Sequence, residues 1–129
     1  QESFSQFKLA VREVNEDPGL LPNHTLTFTT ADTQGSEHHA LRGAVDLISK
    51  HRVHAIVGTG YSSALDSPAT YCSMAQVPII SPGSTSIELT DKRRYPYLLR
   101  SVSNDASFLK AMAVAVYEMG WQKLAALAN

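Results

Sequence analysis

Two hydroxyl-rich stretches hold most of the residues with chemical potential in this chain, "GTGYSS" at 58–63 and "SPGSTS" at 81–86. Each follows an apolar run and opens toward a helix-like segment, the position a nucleophile elbow G-x-S-x-G occupies between strand and helix. Gly60-Tyr61-Ser62-Ser63-Ala64 sits in that position but ends in alanine. Hydrolases built on such an elbow carry serine, acid and histidine in that order, whereas all five histidines here (His24, His38, His39, His51, His54) precede Ser62. A serine without a base in hydrogen-bond reach is not a nucleophile, so no catalytic residue and no enzymatic activity are expected.

Cofactor chemistry is not called for either. Gly58-Thr59-Gly60 opens like a dinucleotide fingerprint, but the third glycine position is Ser63, and no G-K-[ST] exists for a phosphate loop. His38 and His39 are adjacent, about 100° apart on a helix rather than on one face, and no carboxylate or thiol recurs at metal-ligand spacing. No cofactor and no metal are expected. What remains is recognition of a small polar ligand. Helix N-termini offer unpaired N–H groups and partial positive charge to a carboxylate, with hydroxyl donors from Ser62 and Ser63. Ser84, Thr85 and Ser86 supply both donors and acceptors, and acceptors are what an ammonium group requires. The competing account is structural: Ser63-x-x-Asp66 and Thr85-x-x-Glu88 match the capping box, worth about 1 kcal/mol without any ligand. Gly83, after Pro82, fits a turn as well as a close ligand approach.

Lys92, Arg93 and Arg94 in "DKRRYPYLLR" fit a solvated turn better than a nucleic-acid surface, because the chain as a whole carries a formal charge of −1. Arg100 leaves a buried run and needs a partner that the sequence does not name. The single cysteine, Cys72, lies in an apolar helical context and is expected to be a buried thiol; the apolar residues Tyr71 and Met74 beside it suggest core before dimer surface. Asn23-His24-Thr25 is a sequon in a predicted loop, which makes Asn23 a candidate for N-glycosylation.

These residues need a scaffold, and the periodicity supplies one. Helices are expected over 2–15, with Phe4, Phe7, Leu9, Val11 and Val14 apolar; over 36–51, with Leu41, Val45 and Ile48 on one face; from Ser62 or Ser63 to Ala75; and over 105–119. Strands are expected at 26–31, 53–57, 77–81 and 123–128, with 95–102 extended. Alternation of this kind argues for a three-layer α/β/α parallel sheet, in which ligands bind outside the carboxyl ends of the strands. At 129 residues the chain is one domain or part of one. It starts at Gln1 without an apolar leader and its final strand has no helix after it, so a fragment is expected. No run reaches the roughly 18 apolar residues of a membrane span.

The ordered segments from "VHAIVGTGYSS" through "VPIISPGSTSIELTDKRRYPYLLRSVSNDASF", together with "EVNEDPGLLPNHTL", resemble the receptor-family ligand-binding region, a periplasmic-binding-protein type I fold. They are most similar to the extracellular domains of class C G-protein-coupled receptors, including metabotropic glutamate and GABA type B receptors. The resemblance implies lobe 1 of a bilobed clamshell over 1–122, without its first strand, and the start of a crossover into lobe 2 over 123–129. It implies an amino acid or related small molecule bound in the interlobe cleft, signalling by lobe closure, and a location on the extracellular side of the plasma membrane. Expected partners are the small-molecule ligand, the second lobe of the same chain and, in a receptor dimer, a second receptor; nucleic acid is not among them. The residues it implicates are Ser62 for the ligand carboxylate, and Gly83 and Thr85 for carboxylate or amine, with Ser84 nearby. Those receptors often carry serine where this chain has Gly83. Further readings of the same resemblance are a soluble solute-binding protein of an amino-acid transporter and the ectodomain of a receptor guanylate cyclase or ionotropic receptor.

Overall fold

A parallel three-stranded sheet carries both serine stretches on its strand ends. The computed structural model describes residues 2–125. Its elements are α1 (Glu2–Glu16), α2 (Glu37–Ser49), β1 (Ile56–Val57), α3 (Asp66–Ala75), β2 (Ile79–Ser81), β3 (Leu98–Arg100) and α4 (Asp105–Glu118), with 3₁₀ turns at Ser62–Ala64 and Glu88–Thr90. Two compact units are distinguished, Gln1–Thr30 and Ala31–Asn129.

In the first unit, α1 is followed by a turn in which Gly19 N donates to Asp17 Oδ1 at 2.7 Å. Asn15 then grips the returning chain at both backbone groups of Leu26: its Nδ2 donates to the Leu26 carbonyl at 2.9 Å and its Oδ1 accepts from the Leu26 amide at 2.7 Å. Phe28 meets Phe4 and Phe7 edge-on at 6.1 and 5.4 Å. The strand expected at 26–31 is not formed. A strand is defined by its ladder, and Leu26 has given its donor and acceptor to Asn15 instead.

In the second unit the strands run in the order β1-β2-β3, all parallel, with Ile56 beside Ile79 and Ile79 beside Leu98. Side chains alternate across a sheet, so these three share one face, and on that face they meet Ala44 of α2 and Leu65, Ala69 and Cys72 of the α3 segment. The thiol of Cys72 is fully buried, as its apolar context predicted. Of the apolar stripe expected on α2, Ile48 packs against the core, while the rest of the contact is turned. Ala40 and Ala44 are buried, whereas Leu41 and Val45 are half-buried. Alanines let the α2 backbone come close to α3, and the larger side chains then flank the contact. Val57 and Leu99, on the other face of the sheet, are each about half exposed. Helix α4 begins with Asn104, whose side chain accepts from Ser107 N at 3.0 Å, and it contains no buried residue.

The remaining expectations shift at their edges. The segment 53–57 forms a ladder only at Ile56–Val57, after Arg52 turns through a positive φ of 51°. The stretch from Ser62 to Ala75 is broken into a 3₁₀ turn and α3, and 77–81 pairs over Ile79–Ser81. Residues 123–125 of the final expected strand are not in a ladder, and the rest of it lies outside the described residues. No helix among the described residues is long and apolar enough to cross a membrane.

Candidate functional site

The loops 58–63 and 81–86 follow neighbouring parallel strands, so they emerge side by side, and polar side chains fasten them together. Ser81 Oγ donates to the Thr59 carbonyl at 2.6 Å, and Ser84 Oγ donates to the same oxygen at 3.3 Å. Ser86 N donates to Ser62 Oγ at 3.2 Å. Between these bonds the backbones touch: a Cβ on Gly83 would lie 2.9 Å from the Gly60 carbonyl oxygen and 3.4 Å from Gly60 Cα. Gly83 is therefore set by the approach of one loop to the other, where the sequence left a turn or a ligand as its reason.

The five expected site residues divide on this geometry. Ser84 is fully buried, with its hydroxyl committed to Thr59. Gly83 contributes closeness, not a hydroxyl. Ser62 accepts a hydrogen bond from Ser86 N, and its own O–H has no acceptor among the described residues. The exposed Ser63 and the half-buried Thr85 make no side-chain hydrogen bond there. The capping boxes are not formed: Leu65 precedes α3 and Ile87 precedes the second 3₁₀ turn, each without a side-chain cap bond. The 3₁₀ turn at Ser62–Ala64 displaces the start of α3 past Ser63. Near Thr85, it is Ser86 Oγ that accepts from Glu88 N, at 3.3 Å.

Ser62, Ser63 and Ser86 open onto a cavity of about 300 Å³ that also meets Glu37, Asp66, Glu88 and Tyr95. Its chemistry is more acidic than the sequence suggested. The carboxylate expected at the α3 N-terminus is already there, because Glu37 Oε1 accepts from the backbone N and the hydroxyl of Ser67. Asp66 accepts from the Tyr95 hydroxyl at 2.7 Å and from Arg94 Nη2 at 2.8 Å, and the Arg94 guanidinium lies over the Tyr95 ring, 5.0 Å from its centre. Burial, with the Asp66 carboxylate beside it, pushes the Tyr95 hydroxyl up to about 12. The Glu88 carboxylate has no cationic partner among the described residues.

Arg100 finds carbonyls rather than an acid. Its Nη1 donates to Ser86 O at 2.8 Å and to Ser84 O at 3.4 Å, and its Nη2 donates to Thr90 Oγ1 at 2.7 Å. The other cations of this stretch are engaged locally. Arg93 pairs with Asp91 and Lys92 Nζ donates to Leu98 O, which leaves no free basic stripe for a polyanion among the described residues. Among the described residues no group of histidines, cysteines and acids is placed to hold a metal ion. Asn23 is exposed in the turn after Pro22. Tyr71 is half-buried against the core and Met74 is mostly exposed.

The comparisons with known proteins decide the family. The model described as the receptor family ligand binding region matches residues 5–129. The chain belongs to that family. It is 27% identical over 133 residues to human taste receptor type 1 member 1, covering 92% of this chain and 16% of that protein. Rat metabotropic glutamate receptor 4 is 30% identical over 142 residues, covering 93% of this chain, and human metabotropic glutamate receptor 8 is 28% identical over the same span. The chain thus spans about one sixth of the length of these relatives, at 16% of each. They are receptors, not enzymes, and the region is a receptor ligand-binding region related to class C G-protein-coupled receptor extracellular domains, as its motifs implied. Glu37, Asp66, Glu88 and Tyr95 are cavity residues that were not expected to meet a ligand. The sequence singles out Asp66 and Glu88 only as the acids of capping boxes and Ser86 as a donor and acceptor in the hydroxyl run, and Glu37 and Tyr95 carry no ligand signal.

Proposed function

We propose that this region binds the α-amino and α-carboxylate groups of a free amino acid between two lobes, and that closure of the lobes carries the signal. The observation behind the reading is the set of unpaired donors beside unneutralised acid. The Ser62 O–H is held ready by the Ser86 amide at its oxygen and the Ser63 hydroxyl is uncommitted, while Glu88 lines the same cavity without a cation; the Thr85 hydroxyl, one residue before Ser86, is also uncommitted. Hydroxyl donors suit a carboxylate, and an acid suits an ammonium group. Glu37 fills the α3 N-terminus, so the ligand carboxylate goes to Ser62 and Thr85 rather than to that helix end. Residues 1–122 then belong to the first lobe, 123–129 lead toward the second, and the whole faces the extracellular side of the plasma membrane. A ligand that contacts both lobes favours the closed state by its differential affinity.

Calorimetric titration of the two-lobed region with the proteinogenic L-amino acids tests this. At least one binds, and Ser62→Ala and Thr85→Ala each weaken it about tenfold, the loss of one hydrogen bond to a charged group. Unchanged affinity in both variants removes the site. Asn23 carries an N-linked glycan in the same reading, checked by an endoglycosidase mobility shift that Thr25→Ala abolishes.

A further inference from the structure

We infer that Arg100 is a positioning residue of this site, one that fixes the Ser84–Ser86 turn from behind and tunes it toward ligands with a free carboxylate. The inference rests on the reading of the site given above. Three acceptors from two separate segments converge on one guanidinium: the carbonyls of Ser84 and Ser86 and the hydroxyl of Thr90. No carboxylate pairs with it among the described residues, so its charge is not cancelled locally. A planar fork of donors suits this convergence, and a lysine ammonium does not reproduce it.

The consequence for the ligand runs through the peptide group. The Ser84 carbonyl belongs to the same peptide as the Thr85 N–H, and that N–H makes no hydrogen bond to the described residues. A cation on the carbonyl oxygen polarises the peptide and makes its N–H a stronger donor, as in any hydrogen-bonded chain. The turn is also fixed at other points, since Thr85 O accepts from Asp105 N at 2.9 Å and Ser84 N donates to Ser81 Oγ at 3.1 Å. Arg100 acts on the segment that the proposed site uses, because its bonds to Ser84 O and Ser86 O bracket Thr85.

The test uses the full-length protein with Arg100→Gln and Arg100→Lys. Each protein is titrated with the proteinogenic L-amino acids and with the α-carboxamide of whichever binds. Arg100→Gln is expected to weaken the amino acid at least tenfold and to shrink the ratio of acid to amide affinity several-fold, with Arg100→Lys between it and the wild type. Should Arg100→Gln fail to fold, Arg100→Lys alone shows the reduced ratio. Wild-type affinity in the variants, or equal losses for acid and amide, overturns the inference, since a merely structural loss leaves the ratio unmoved. If no amino acid binds the wild-type protein, the reading of the site fails instead. Hydrogen exchange at Ser84 and Ser86 then decides on Arg100 by itself: about tenfold faster exchange in Arg100→Lys supports the positioning role, and unchanged exchange refutes it.

Discussion

Tyr95 is the largest fully buried side chain among the described residues, and its hydroxyl ends on a carboxylate at the cavity wall. Tyr95→Phe keeps the ring and removes that bond, so a loss of about 1 kcal/mol is expected in denaturant unfolding, with small change in core packing. The proton also gives a pH signature. A hydroxyl raised from 10.0 to about 12 is held more tightly in the folded state than in the unfolded one. Its contribution is complete below the unfolded value and disappears as pH rises through the folded value, so stability falls between about 10 and 12. Tyr95→Phe flattens that fall, and ultraviolet difference spectroscopy of the five tyrosines shows one late titration disappear. None of this was legible locally, because Asp66 and Tyr95 are 29 residues apart. Ser63 and Thr85 were legible as hydroxyls after apolar strands; their freedom from capping was not, since it depends on the 3₁₀ turn ahead of α3 in one case and on Ser86 taking the Glu88 amide in the other.

Elements locate the site through their ends. Helix α3 stops at Gln76, which adopts a left-handed conformation at φ 57° while its N–H bonds to Cys72 O and Ser73 O. A side chain is strained in that conformation where glycine is not, so Gln76→Gly is expected to stabilise the protein by about 1 kcal/mol in urea unfolding. At the other end of the unit, Asn104→Ala removes the cap of α4 and should lower stability by about 1 kcal/mol in the same assay. The first test leaves the serine loops untouched; the second alters the residue next to Asp105, whose amide donates to Thr85 O. The alternation of helices with short strands and the parallel pairing were readable because apolar period switches with element type. Strand lengths were not: a ladder needs two partners, and the paired segments shrink to two or three residues where the apolar runs are five.

At the scale of the whole molecule the conspicuous surface is α4 together with the residues just after it. Phe108, Leu109, Met112, Tyr117 and Trp121 are each half exposed or more. Apolar groups at this density promote association. The 129-residue chain prepared alone is expected to bind a hydrophobic dye and to self-associate with concentration in sedimentation, and Leu109→Lys with Tyr117→Lys reduces both. Family membership was readable from the motifs at this scale, since it rests on order along the chain and not on contacts.

The contact between Gly83 and Gly60 has a consequence for anyone who would redesign the specificity of this receptor region. The two glycines behave as one steric unit: a serine placed at 83 alone drives its Cβ into the Gly60 carbonyl, and a backbone, unlike a flexible side chain, yields only by moving the loop that carries Ser62. Importing a hydroxyl from a relative at this position therefore means transplanting 58–60 with it, and a single-site swap gains a donor only by misplacing another.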